Sequence, residues 1–189
     1  HPEVRCYRYW PELSSDCRLM TKLLRDLTDY SMSDQLTKQR SDLCNLLRRA
    51  YLSCLPLTEG TNKTLTYTSR VSCAYMPLDS PKMMEALLNL IVNALDAVSD
   101  NGSVQIILTK SNEQFVVSII DDGCGIAPKQ LLTIFHPFTT TKPDGTGLGL
   151  PVAKRIIEGH GGHIRVSSAP NQGATFTFLL PCSFSSDRK

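Results

Sequence analysis

Apolar residues fall at Trp10, Leu13, Cys17, Met20, Leu24 and Leu27, in alternating steps of three and four. That is the spacing of a helix with one narrow apolar seam. Pro11 is tolerated in the first turn of such a helix. Leu23 and Tyr30 widen the seam somewhat, and a bundle or coiled-coil contact accounts for it better than a helix packed on its own domain. The polar run "SMSDQLTKQRSD" then reads as a hinge with room for a short strand. Ser41 can cap a second helix, whose apolar positions Leu43, Leu46, Leu47, Ala50 and Cys54 are followed by Pro56 and the "TEGTNK" loop as stop signals.

Beyond that loop, alternation in "TLTYTS" predicts a strand. Asp79, Ser80 and Pro81 open a third helix, "KMMEALLNLIVNALDAV". Asn101-Gly102 introduces "SVQIILTK" and "QFVVSIID", a hairpin across "SNE". "VAKRIIEGHGG" reads as a helix closing at Gly161, and "HIRVSS" and "ATFTFLL" as a final hairpin across "APNQG". This order describes an α+β fold: a mixed sheet with helices layered on one face, preceded by a separate helical arm. The domain organisation it implies is an arm over residues 1–32, a hinge over 33–40, the main domain over 41–183 and a tail over 184–189.

Composition narrows the function classes. With 41% hydrophobic and 20% charged residues over 189 positions and a net charge of +2, the chain sits near the globular average, which disfavours a nucleic-acid or membrane-surface role. No apolar stretch approaches the ~20 residues of a membrane helix. The start, "HPEVRCYRYW", carries no signal segment and reads as internal to a longer chain. Seven cysteines form no C-x-x-C pair and are odd in number, which suits reduced thiols and a cytoplasmic setting.

Three stretches carry candidate chemistry. On the third helix Glu85, Asn89 and Asn93 recur every four residues and form a polar stripe inside a strong apolar pattern. Asparagine is a poor interior helix residue, so the pair faces either solvent or something polar. "SIIDDGCGI" ends an apolar strand in Asp121-Asp122 followed by Gly123 and Gly125, which is either an ordinary turn or a rigid carboxylate beside a flat ligand. "HPFTTTKPDGTGLGLPVAKRIIEGHGG" packs glycines and a lysine ahead of a helix. It fits neither the P-loop nor the dinucleotide fingerprint, because Gly145, Gly147 and Gly149 give G-x-G-x-G with no strand before them.

Taken together and in this order, "NLIVNALDAV", "DDGCGI", "IFHPFTTTK" and "GTGLGL" closely resemble the N box, first glycine box, F box and second glycine box of sensor histidine kinases. These belong to the ATPase superfamily that also holds gyrase, the MutL repair proteins and a heat-shock chaperone. The resemblance is strong over residues 80–181, is nearest to the nitrogen-regulation-type kinases, and extends to the arm as the second helix of a dimerisation domain. It implies a two-layer α/β sandwich of the Bergerat type, with ATP and Mg2+ as cofactors. By that resemblance Asp121 binds the adenine amine, Gly123, Gly125 and Ile126 shape the adenine pocket, and Asn93 holds the magnesium with Asn89 beside it. Phe135 and Phe138 anchor a mobile lid, Lys142 meets the phosphates, and Gly145, Thr146, Gly147, Leu148 and Gly149 bring backbone amides to the triphosphate at a helix N-terminus. The implied partners are a response-regulator receiver domain and a second copy bound through the arm.

Two departures shape the functional expectation. Hydrolysing members of the superfamily carry a glutamate base where this chain has Asn89. Glu85, one turn earlier, is a candidate base but reads better as a surface charge near the helix start. The acceptor box H-E-x-x-N-P is not matched, and His1-Pro2-Glu3-Val4 suits a turn between two dimerisation helices. His136 lies inside the F box, while His160 and His163 read as charges at a helix C-terminus. Cys124 is expected to point away from the nucleotide and to be unreactive. The expected function is therefore transfer of the γ-phosphoryl of ATP to a histidine upstream. The rival readings are a serine kinase of the anti-sigma-factor type and a non-catalytic nucleotide-sensing or dimerisation module.

Overall fold

The structure, a computed structural model, describes residues 9, 10, 13, 14, 17, 20, 21, 36–142 and 145–182. The tail, most of the expected arm and the first three residues of the expected hinge lie outside these residues. Of the seam, Trp10, Leu13, Cys17 and Met20 are described, and all four are helical.

The elements run β1 (Gln39–Asp42), α1 (Leu43–Cys54), β2 (Thr64–Ser69), β3 (Tyr75–Leu78), α2 (Ser80–Ala97), β4 (Ser103–Ser111), β5 (Gln114–Asp121), the short α3 (Pro128–Leu131), α4 (Gly149–Gly159), β6 (His163–Ser168) and β7 (Ala174–Pro181). Five strands form one sheet in the order β2-β4-β5-β7-β6. β2 runs parallel to β4, and every other pair is antiparallel. A parallel pair needs a crossover, and the one between β2 and β4 contains α2.

Strict alternation decides which face is covered. Val104, Ile106 and Leu108 of β4, Phe115, Val117 and Ile119 of β5, and Phe176, Phe178 and Leu180 of β7 are all buried. Their neighbours on the other parity are mostly Thr, Ser and Gln. Against the buried face pack Leu87, Leu90, Ile91 and Ala94 of α2, Leu43, Leu47 and Ala50 of α1, and Ala153, Ile156 and Ile157 of α4, in one continuous core. The expected α+β sandwich, with a mixed sheet and helices on one face, is the fold observed.

Local signals set the helix starts, with one correction. Ser41 does not cap α1; it lies in β1, where its hydroxyl donates to the Gln39 carbonyl at 3.2 Å. Asp42 is the cap: its Oδ1 accepts from Cys44 N at 3.0 Å and from Ala74 N at 2.9 Å. A carboxylate outcompetes the hydroxyl because it holds the helix start and the chain entering β3 at once, and such a cap is worth about 1 kcal/mol. Asp79 caps α2 as expected, accepting from Lys82 N at 3.1 Å with Pro81 in the first turn.

β3, "YMPL", carries no clear strand signal because Pro77 cannot donate to a ladder. Among the described residues it pairs with β1 alone, in a separate two-stranded sheet, and it buries Met76 and Leu78. The pairing joins residues some 35 apart. It brings the end of the hinge onto the domain.

His160 requires a second correction. It is not a charge at an open helix end: the ring is 0% exposed. Its Nε2 accepts from Asp79 N at 2.9 Å, so Nδ1 carries the proton and donates to the Ile156 carbonyl at 2.7 Å. Burial pushes its pKa down. A neutral imidazole thus ties the C-terminal end of α4 to the cap of α2.

Candidate nucleotide-binding site

Asp121 and Asp122 are adjacent at the end of β5, and the strand's parity separates them. Phe115, Val117, Ile119 and Asp121 share the inward face, and Asp121 is buried. Both of its hydrogen bonds fall on Oδ1, from Gly123 N at 3.0 Å and Ala174 N at 3.1 Å. Oδ2 has no partner among the described residues. Desolvation raises the Asp121 pKa, against the lowering effect of the two backbone donors. Asp122 instead points to solvent and clamps the start of β4, taking Ser103 N at 2.8 Å and Ser103 Oγ at 2.7 Å. Those two bonds, the backbone one first, draw its pKa down. Asp122 is structural, and Asp121 is the one with an oxygen to offer.

The loop behind Asp121 is held from two sides. Cys124 N donates to the Ala97 carbonyl at the end of α2 at 3.1 Å, Asn171 N donates to the Cys124 carbonyl at 2.7 Å, and Gly173 N donates to the Gly123 carbonyl at 3.0 Å. Ile126 N donates to Ser168 Oγ at 2.9 Å, and that hydroxyl donates to the Gly173 carbonyl at 2.6 Å. The β6–β7 turn is therefore part of the site's support, which no local signal in "APNQG" discloses.

The glycines of this loop answer to the protein's own backbone. A Cβ at Gly123 would lie 2.4 Å from the Ala97 oxygen, and one at Gly125 would lie 2.0 Å from the Ala169 oxygen with φ at +68°. Cys124 is exposed, and the polar atom its Sγ meets is the Gly125 carbonyl at 3.6 Å.

The polar stripe of α2 forms the adjoining wall. Asn89 and Asn93 are half-buried, and the start of α4 packs over the first of them, the Cβ position of Gly149 lying 3.5 Å from Asn89 Oδ1. Lys142 reaches across from the loop before α4: its Nζ donates to Asn93 Oδ1 at 3.2 Å and to Asp96 Oδ2 at 2.9 Å. Asp96 was not singled out in the sequence; its only signal is its place three residues after Asn93, on the same helical face. Glu85 lies in an ion pair with Lys82 at 3.0 Å near the start of α2.

The second glycine run is stitched to the F box. Phe138 N donates to the Gly147 carbonyl at 3.0 Å, and a Cβ at Gly147, whose φ is +67°, would lie 2.5 Å from the Phe138 carbonyl carbon. At Gly145 a Cβ would lie 2.3 Å from Thr140 Oγ1. Thr146 Oγ1 accepts from Leu148 N at 3.4 Å, and Leu148 itself is wholly buried. Phe135 anchors the loop, its ring edge-on to Phe176 with centroids 6.5 Å apart. Phe138 does not share that role. It is 62% exposed, with φ at +64°.

Comparison with known proteins agrees with this geometry. Residues 78–183 match the family described as Histidine kinase-, DNA gyrase B-, and HSP90-like ATPase. The chain is 32% identical over 170 residues to the sensor histidine kinase ZraS of Salmonella typhimurium, covering 89% of this chain and 37% of that protein. It is 36% identical over 165 residues to the signal transduction histidine-protein kinase AtoS of Escherichia coli, covering 86% of this chain and 27% of that protein. Among solved structures, the catalytic domain of histidine kinase ThkA superposes with a TM-score of 0.71 at 29% identity, covering 77% of this chain and 96% of that one. The chain thus spans about a third of the length of these curated relatives. On the family match, the shared fold and the kinase relatives, this chain belongs to the histidine kinase-, DNA gyrase B- and HSP90-like ATPase family, as an ATP-binding catalytic domain of the sensor histidine kinase kind.

Proposed function

We propose that this domain transfers the γ-phosphoryl of Mg-ATP to a histidine on a dimerisation helix outside this chain, for relay to an aspartate of a response-regulator receiver domain at the cytoplasmic face of signalling. The observation that carries the reading is Asp121: a buried carboxylate at a strand end, held through one oxygen and open at the other. A group so placed is an acceptor for an exocyclic amine.

The α2 wall fits the phosphate end. An ammonium already rests between Asn93 Oδ1 and Asp96 Oδ2, so this spot accepts a cation. Magnesium takes oxygen ligands and keeps several from waters and phosphates, which suits Asn93 as a single protein ligand. When bound, the ion neutralises charge developing on the phosphates. Lys142 can turn from the wall to the phosphates, and the start of α4 offers its free amides.

Asn89 has no proton-accepting chemistry at neutral pH, and Glu85 is occupied with Lys82. Water in this site therefore lacks a base, and transfer depends on an acceptor brought in line with the γ-phosphoryl. The test is incubation with labelled ATP of a longer protein that includes the upstream helix. Acid-labile label should appear on that helix, and Asn93→Asp should block it. Transfer to serine or threonine, or no transfer at all, overturns the reading.

A further inference from the structure

We propose that Asp96 is a positioning residue that latches Lys142 over Asn93, so that a metal arriving at Asn93 must first displace the lysine. The inference rests on the nucleotide reading above. Asn93 projects one amide oxygen toward the site, and the Lys142 ammonium sits on it at 3.2 Å. A divalent cation on that oxygen and an ammonium on the same oxygen repel each other strongly at such separations.

The lysine is not held there by the amide alone. Asp96, one turn further along the same face of α2, holds it through a 2.9 Å ion pair. Asp96 thereby sets the resting position of the loop that carries Lys142. Two neighbouring features make the latch a choice between positions. Lys142 lies in a turn closed by its own backbone, with Lys142 N donating to Thr140 Oγ1 at 3.0 Å and Gly145 N donating to the Lys142 carbonyl at 3.1 Å. Residues 139–142 make no strand or helix, so the side chain moves without breaking an element.

With both partners about half exposed, the pair is worth little in absolute terms. It is still enough to bias a loop, since exposed pairs of ~0.2 to 1 kcal/mol correspond to about 1.5- to 5-fold in an opening equilibrium.

The experiment is backbone amide hydrogen exchange on the whole chain, followed at Thr139 to Lys142, for wild type, Asp96→Asn, Lys142→Gln and the double variant. Without nucleotide, each single variant should exchange there about 1.5- to 5-fold faster, and the double variant no faster than the quicker single one. With saturating magnesium and a non-hydrolysable ATP analogue, wild type and Asp96→Asn should converge, because the lysine has then left Asp96. Additive single effects, no acceleration in Asp96→Asn, or a difference that persists unchanged with nucleotide each overturn the latch. Nucleotide affinity is measured separately on Asp121→Asn: if it is unchanged the nucleotide reading falls, whereas the nucleotide-free exchange judges the latch alone.

Discussion

At the scale of single residues the site is built from contrasts between neighbours. Asp121 turns inward and keeps an oxygen free, while Asp122 turns outward and is spent on Ser103. Because burial raises the folded pKa of Asp121, its contribution favours folding only below the unfolded carboxylate value and is lost as pH rises through the folded one; at neutral pH it is a cost. Asp121→Asn keeps an oxygen for the two N–H donors and removes the buried charge. It should melt no lower than wild type by calorimetry, yet lose about 10- to 150-fold in nucleotide affinity by titration, the worth of a charged hydrogen bond. Unchanged affinity in a folded variant refutes the assignment. Gly125→Ala should be destabilised by roughly 2 kcal/mol or more in urea unfolding, since positive φ and the Ala169 carbonyl both oppose a Cβ. A variant as stable as wild type would mean the turn has an easier alternative.

At the scale of elements, α4 is tied at both ends. Its start packs on Asn89 through Gly149, and its end is fixed by His160 to the cap of α2, whose second carboxylate oxygen holds Thr37 N at 2.9 Å. Lys38 Nζ donates to the Gly159 carbonyl at 2.8 Å. The last residues of the hinge thus dock where α2 begins and α4 ends. His160 is neutral here with a lowered pKa, burial being the main cause; Lys38 acts in the same direction and Asp79 against it. Its unfolded value is about 6.5, so the stability it supports is complete above that pH and declines as pH falls through the folded pKa. Urea midpoints measured from pH 7.5 down to 5 should fall in wild type and fall less in His160→Gln. His136 and His163 are exposed. Equal slopes would assign the acid loss to other groups.

At the scale of the whole molecule, the proposed function predicts that nucleotide binding and phosphoryl transfer separate. The chain covers the ATP-binding family match but only about a third of its curated relatives. It should bind Mg-ATP yet neither label itself nor release phosphate quickly, because positioning of an acceptor supplies much of the acceleration and Asn89 cannot activate water. Label on His136, His160 or His163, or rapid hydrolysis, contradicts the mechanism. The wholly buried His160 is the least accessible of the three.

Much of this was legible in the chain. The strands "TLTYTS" and "QFVVSIID" and the cap at Asp79 follow from periodicity and capping, because those preferences act between residues a few positions apart. The order of the four boxes likewise implied the family. What sequence alone did not disclose depends on atoms far apart in the chain coming within 3 or 4 Å. The β1–β3 pair, the burial of His160, the β6–β7 turn under the Asp121 loop, and the meeting of Lys142 with Asp96 across 46 positions are all of that kind. The glycines show the division most plainly. Their spacing marked the loops, but only the tertiary structure shows that Gly123, Gly125 and Gly147 make room for the protein's own carbonyls and backbone, because a Cβ is excluded by whatever the fold brings beside it.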